Sequence, residues 1–316
     1  MEIRINPLVD CVFKSLLGSD KNRNLLVHFL NAVTGLEGDD TITDVTIMNP
    51  YNEEKFLGSK LTIVDIKAMC QNEFRYQIEI QLALHRALEN RILYNWSAIY
   101  HSALKKGEHY KKLKPVFSIW ILDTPLFPDI EAYHLIFRPY DVTNKIELTN
   151  HMTIHLLQLA MFNENDKITN EKERWLYFFK QAQNQNIDHL PEPMKTKEMI
   201  QAMETLKDFS EDEKRFLLYQ SRLDEEFTLN TWKLMLKETK KELKQAQKEK
   251  EKAQREKEKA QKEKEKERND KEKEKKEKEK AQKENAEAQK EKEKALQEKE
   301  KYLKILKEKG IDIDSI

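Results

Sequence analysis

The chain of 316 residues holds only two cysteines, Cys11 and Cys70, too few for a disulfide scaffold. It contains no run of about 18 apolar residues, so no membrane span is expected. Its first ten residues, MEIRINPLVD, lack the apolar core of a secretory signal. Net charge is missing as well, because 57 Lys and Arg balance 57 Asp and Glu. These absences describe a soluble protein of a reducing cytoplasm, with no membrane partner.

The zero charge is a cancellation between two different materials. Residues 1–232 read as globular and carry 27 Lys and Arg against 34 Asp and Glu, a net −7. The remainder is nearly all Lys, Glu, Gln and Ala and carries 30 against 23, a net +7. An acidic globular part is not an indiscriminate binder of polyanions. Nucleic acid would have to meet it through a local basic patch, a metal or the tail.

Helical spacing runs through NPLVDCVFKSLLGSDKNRNLLVHFLNAVTG, with Val12, Phe13, Leu16, Leu17, then Leu25, Leu26, Phe29, Leu30 and Val33. Gly18 splits this stretch into two helices and Gly35 ends the second. DVTIMNPY (44–51) predicts a short strand closed by Asn49-Pro50. LTIVDIKAM (61–69) and YQIEIQL (76–82) predict two more strands around a polar turn. An amphipathic helix is expected over 83–107, with Leu88, Ile92, Trp96, Ile99 and Ala103 along one stripe. PVFSIWILD (115–123) is a near-continuous apolar run, as in a strand buried on both faces. The order is helix, strand, strand, strand, helix, strand. Further strands are expected over 131–162 and helices over 170–226. His151 and His155 are four apart on a predicted strand without an evident third ligand, and read as half-buried histidines.

Acidic residues inside the two strands carry the chemistry. Side chains alternate faces along a strand, so Tyr76, Ile78, Ile80 and Leu82 point one way, and Gln77, Glu79 and Gln81 the other. Asp65 and Lys67 share a face with Leu61 and Ile63. Paired as a hairpin, the strands bring Asp65 and Glu79 together on the polar face, with Lys67 and Gln81 one step away. Two facing carboxylates repel, and one takes up a proton unless a cation intervenes. Mg²⁺ accepts one or two carboxylates plus water and phosphate oxygens, which suits phosphodiester cleavage. Alternation by itself is also what any half-exposed antiparallel sheet shows.

Arg91 and Tyr94 project from the helix after Glu79. Arg91 is either a phosphate contact or an ion-paired surface residue. KKGEHYKKLK (105–114) is the densest basic patch of the globular part, with Lys105, Lys106, Lys111 and Lys112 around Tyr110. It is either a contact to the DNA backbone or a solvated loop. Asp10 and Lys14, four apart on the first helix, read as a surface pair or an N-cap.

From Lys233 a heptad repeat begins. Ala246, Ala253, Ala260, Ala281, Ala288 and Ala295 share one position, and Glu267, Glu274 and Tyr302 have the same phase. Three residues on stand Glu249, Glu256 and Glu263, so a coiled-coil seam lacks half its core. Pairs such as Glu251 with Arg255 and Glu258 with Lys262 each contribute about 0.2–0.5 kcal/mol to a solvated helix. An extended helix with weak self-association is expected, against disorder as the competing reading.

Asp65, then Glu79-x-Gln81, on neighbouring strands in this order of elements resembles the PD-(D/E)XK nuclease fold. More closely, the chain resembles the Rpn family of recombination-promoting nucleases, described as transposases. The resemblance rests on NPLVDCVFKSLLG, LLVHFLNAV, VDIKA, YQIEIQ, NRILYNWSAIYHSALKKGEHYKKLKPVFSIWIL and, weakly, LKEKGIDIDSI. It covers residues 5–125 well, 126–230 in outline and little of the repeat tail.

The resemblance implies an α/β (α+β) restriction-endonuclease-like core, αβββαβ, over residues 1–130. Accessory strands and helices (131–230), a charged helix or coiled coil (231–309) and a C-terminal tail (310–316) would follow. It implies a metal-dependent DNA endonuclease using Mg²⁺ held by Asp65 and Glu79, with Asp10 as an auxiliary acidic residue. Gln81 stands where the superfamily usually has a catalytic Lys, so Lys67 or Lys14 would supply the missing charge. The neutral Gln81, the acidic globular part and the long tail motivate a second reading: a weak or inactive nuclease-fold module acting in assembly through its helix. Homo-oligomers formed through that helix belong to the same expectation.

Overall fold

The computed structural model describes residues 4–49, 65–82 and 87–308. The chain divides into two compact units, residues 1–231 and 232–316. Leu61 and Ile63, the start of the helix expected from residue 83, and the tail 310–316 lie outside the described residues.

The first unit opens with α1 (Asp10–Leu17) and α2 (Arg23–Thr34). Both helix ends follow from glycine. Gly35 caps α2 at φ 62°, in the left-handed region that favours a residue without Cβ. At Gly18, which caps α1, a Cβ would stand 2.8 Å from the Lys14 carbonyl oxygen and 3.4 Å from Ile66 Cγ1. Close approach, more than the dihedral, therefore requires glycine there.

Next come β1 (Val45–Ile47), β2 (Asp65–Cys70), β3 (Arg75–Gln81), α3 (Leu88–Ser102) and β4 (Val116–Leu122). This is the αβββαβ order expected from the residue pattern. Helix α3 is shorter than expected at its C-terminal end. The Glu108 carboxylate accepts the Lys105 N–H, and Gly107 adopts φ 89°, so the chain turns away before the basic patch. The chain continues through β5 (His134–Phe137), β6 (Tyr140–Asp141), β7 (Ile146–Glu147) and β8 (Met152–Gln158). Helices α4 (Glu171–Gln181) and α5 (Lys197–Glu211) follow, then α6 (Glu213–Glu308).

Six strands form one mixed sheet in the order β1-β2-β3-β4-β8-β5. β3 pairs with β2 antiparallel and with β4 parallel, and β8 continues the parallel pairing. β5 and β8, both from the 131–162 stretch, thus belong to the same sheet as the carboxylate-bearing strands. β4 is buried at every position, which accounts for its unbroken apolar sequence.

The two faces of the sheet are covered differently. Ile66, Ala68, Ile78 and Ile80 join Val12, Phe13, Leu16, Phe29, Trp175 and Phe179 in the large core. Opposite, Trp120, Leu122, Ile154 and Leu156 pack with Leu88 and Ile92 of α3. Glu79 is the register partner of Trp120, so period two sends it to the α3 face. Among the described residues no helix is long and apolar enough to cross a membrane.

The second unit is helical through Glu308 and exposed along nearly all of its described length. Ion pairs one turn apart, Glu267–Lys271, Glu272–Lys276 and Glu274–Lys278, lie on its surface at 2.7, 3.1 and 2.7 Å.

Candidate active site

Asp65 and Glu79 are cross-strand partners, with Lys67 opposite Gln77. Asp65 begins β2, where Asn49 holds the backbone in place of a further strand residue. The Asn49 side-chain amide donates to the Asp65 carbonyl at 3.0 Å, and its oxygen accepts the Lys67 N–H at 2.7 Å. Asp65 and Glu79 then line one cavity of about 390 Å³, together with Lys67, Gln77 and Asn95.

The two carboxylates sit in unlike surroundings. Asp65 is 26% exposed, and its Oδ2 lies 3.2 Å from Lys67 Nζ. Glu79 is 1% exposed. Its Oε1 accepts from Gln77 Nε2 at 2.5 Å and Asn95 Nδ2 at 2.6 Å, while Oε2 accepts from Arg91 Nη2 at 2.6 Å. Burial pushes the Glu79 carboxyl above its ordinary range; the Arg91 guanidinium and then the Asn95 amide pull it back without cancelling the rise.

Arg91 is the centre of this arrangement. Its Nη1 donates to Gln81 Oε1 at 2.9 Å, and its guanidinium lies 5.3 Å from the centroid of the Trp120 ring. Trp120 Nε1 in turn donates to Ser118 Oγ at 2.9 Å. Arg91 and Asn95 are one helical turn apart on α3, so both reach β3 from the same side. Lys67 serves Asp65, and Arg91 serves Glu79 and Gln81.

A scan against protein-family models matches the PD-(D/E)XK nuclease family transposases over residues 7–228. The chain belongs to this family. No curated protein and no solved structure gives a significant match.

The remaining expected residues of this nuclease-family transposase are placed as follows. Asp10 is buried at the start of α1, where its Oδ1 accepts the Cys11 N–H at 2.6 Å. Its Oδ2 faces Arg222 Nε at 3.6 Å, with both side chains 4% exposed. Asp10 is thus neither a surface residue nor the N-cap, which is Val9. Among the described residues no three His, Cys, Asp or Glu side chains cluster as a metal site. Burial raises the Asp10 carboxyl, and Arg222 opposes that rise.

Lys14 is half-buried on α1. Lys105, Lys106, Lys111 and Lys112 are all exposed, and Lys112 pairs with Glu108 at 3.1 Å. Tyr94 is 73% exposed. His151 and His155 have separate partners: Tyr100 Oη for the first and His134 for the second, each at 3.0 Å.

Asn95, Gln77 and Asn49 escaped the reading of the sequence as site residues. The one available signal was the i, i+4 spacing of Arg91 and Asn95 on the helix that follows Glu79. It identifies a shared face but not which strand that face meets.

Proposed function

We propose that this chain hydrolyses DNA phosphodiester bonds at the Asp65–Glu79 pair as a divalent-metal-dependent endonuclease, with Mg²⁺ as the ion. The observation that carries this reading is the cross-strand register of Asp65 and Glu79 on the wall of one polar cavity. The donor set fits a hard cation, because both groups are carboxylates and no thiol or imidazole is among the described residues lining the cavity. Glu79 accepts three hydrogen bonds, and a carboxylate offers about four lone-pair sites, so capacity remains on Oε2. Asp65 and Glu79 would hold the ion. When bound, it supplies Lewis-acid polarisation of the phosphoryl group and neutralises developing charge.

The chain's own residues do the rest. Gln77 and Asn95 fix the Glu79 rotamer, and the Arg91 guanidinium favours the charged form of that buried carboxyl against desolvation. Asp65, at the cavity mouth, remains accessible to an incoming phosphate. Lys67 offers a proton donor beside the scissile group and offsets its charge. Arg91, spread across Glu79 and Gln81, supplies the positive charge that a neutral Gln81 lacks. The exposed Lys105, Lys106, Lys111 and Lys112, with Lys14, offer phosphate contacts to the DNA backbone. Residues 1–130 act as the nuclease core and 131–230 complete the globular part, in a cytoplasmic protein.

The close hydrogen bonding of Glu79 favours a second reading, in which the cavity is frozen and the module serves assembly. Plasmid cleavage with Mg²⁺ by the natural chain, Asp65→Ala and Glu79→Ala separates the two. Cutting by the natural chain alone supports the nuclease. Equal cutting by all three signals contamination and removes the proposal, and no cutting with no Mn²⁺ binding by calorimetry leaves the assembly module.

A further inference from the structure

Residues 232–308 lie beyond the segment matched to the nuclease family, and the expectation that their helix self-associates leaves its partner, orientation and register unassigned. Ion pairs of the Glu267–Lys271 kind account for a solvated helix. They do not account for large apolar side chains on it. Trp232, Leu236 and Leu243 are 60%, 58% and 59% exposed, and with Ala246 they fall at d, a, a and d of one heptad frame. In that frame the alanine repeat continues the d position through Ala253 and Ala260.

Charges flanking the seam are sorted by side. The g positions are acidic without interruption from Glu242 through Glu249, Glu256 and Glu263 to Glu298. The e positions contain no acidic residue: Lys240, Gln247, Gln254, Gln261 and Arg268 follow one another there. Pairing of isolated helices does not require this segregation, since i, i+4 bonds form on any face. It matters between two helices. In a parallel pair each g side chain meets the e side chain of the partner's next heptad, so Glu242 faces Gln247, Glu263 faces Arg268 and Asp270 faces Lys275. In an antiparallel pair g meets g, and glutamates oppose one another along the whole length.

We propose that this helix binds a second copy of the same chain as a parallel, in-register coiled coil nucleated at Trp232–Ala246. From Lys250 to Lys299 the a positions are lysines except Asn285; their stems cover a narrow seam of d alanines, interrupted at Glu267 and Glu274, while their ammonium groups reach outward. Each of these lysines is preceded by an acidic g residue, Glu throughout except Asp270 before Lys271, which tempers the repulsion between the two copies. The apolar nucleus spans only about two heptads, so the complex is concentration-dependent.

Sedimentation of the full chain over a concentration series tests this. The expected result is a shift from one chain to two, abolished by combining Leu236→Glu with Leu243→Glu while circular dichroism keeps its helical signal. Orientation is read by oxidation of a Leu243→Cys variant, which links two chains, whereas Lys248→Cys at the outward f position does not. The native Cys11 and Cys70 are buried and do not compete. A natural chain that stays monomeric throughout, or a double variant that associates equally well, overturns the proposal. Linkage at Lys248→Cys in preference to Leu243→Cys overturns the parallel register.

Discussion

Arg91, half-buried, and Glu79, fully buried, are twelve residues apart and form an ion pair at 2.6 Å, closed on the other side of the guanidinium by Gln81 at 2.9 Å. The pair ties α3 to β3 where the sheet buries Glu79. Its consequences can be measured in stability as well as in activity.

Arg91→Ala leaves the Glu79 carboxylate buried without its cation. The expected cost is about 3 kcal/mol, the size seen when one partner of a buried pair is removed. Glu79→Gln added to it recovers much of the loss, because the uncompensated charge is gone. Urea denaturation of both single variants and the double variant measures the coupling. Arg91→Lys does not rescue fully, since a lysine cannot reach Glu79 and Gln81 together.

Asp65→Asn is expected to leave the melting temperature nearly unchanged, because Asp65 is partly exposed and its Lys67 pair is worth at most about 1 kcal/mol. Mg²⁺-dependent nicking of plasmid falls by roughly 100-fold or more, as for loss of a positioned charge in a reacting centre. Lys67→Ala is milder, because Arg91 still provides a cation beside Glu79. If Asp65→Asn cuts at the natural rate, the assignment of Asp65 is wrong.

Asp10→Ala separates folding from chemistry. It removes the acid that faces Arg222 at 3.6 Å but leaves Arg222 its Glu225 partner at 2.9 Å, so the expected destabilisation is about 2 kcal/mol. Cleavage per folded molecule stays constant, since Asp10 faces Arg222. A large loss of cleavage without loss of stability would instead make Asp10 a member of the reacting centre.

Acid weakens the fold through a buried histidine pair. Lys172 Nζ lies 3.0 Å from His134 Nδ1, and His134 Nε2 lies 3.0 Å from His155 Nδ1. With Lys172 as the donor, both Nδ1 atoms accept, and the proton of His155 rests on Nε2. Burial, followed by neighbouring positive charge, lowers both histidines, His134 to about 4 and His155 to about 3. A histidine titrating lower when folded than when unfolded costs nothing above the unfolded value. As pH falls below about 6.5 the unfolded chain takes up protons that the folded chain refuses, so stability declines. Thermal melting at pH 7.5 and pH 5 checks this, and His155→Gln should flatten the drop.

Much of the fold was legible because it rests on local periodicities. Apolar spacing marked α1 and α2, and two glycines marked their ends. The unbroken apolar run of β4 announced burial on both faces. Asp65 opposite Glu79 was legible too, since period two and a short turn leave few registers for a hairpin. Arg91 was visible as a cation on a helix but not as the partner of Glu79. Its role depends on how α3 is rotated where Leu88 and Ile92 meet Trp120, which no local pattern encodes. Asp10 looked like a surface or capping residue because its partner, Arg222, is 212 positions away.

By itself, then, the sequence determined which residues alternate, which segments curl and where charge is sorted along the C-terminal helix, because these follow from backbone geometry and near-neighbour spacing. Only the tertiary structure decided which carboxylate is buried, which cation answers it and which distant residue Asp10 faces. Those choices are made by desolvation, and desolvation depends on what packs above a residue from distant parts of the chain.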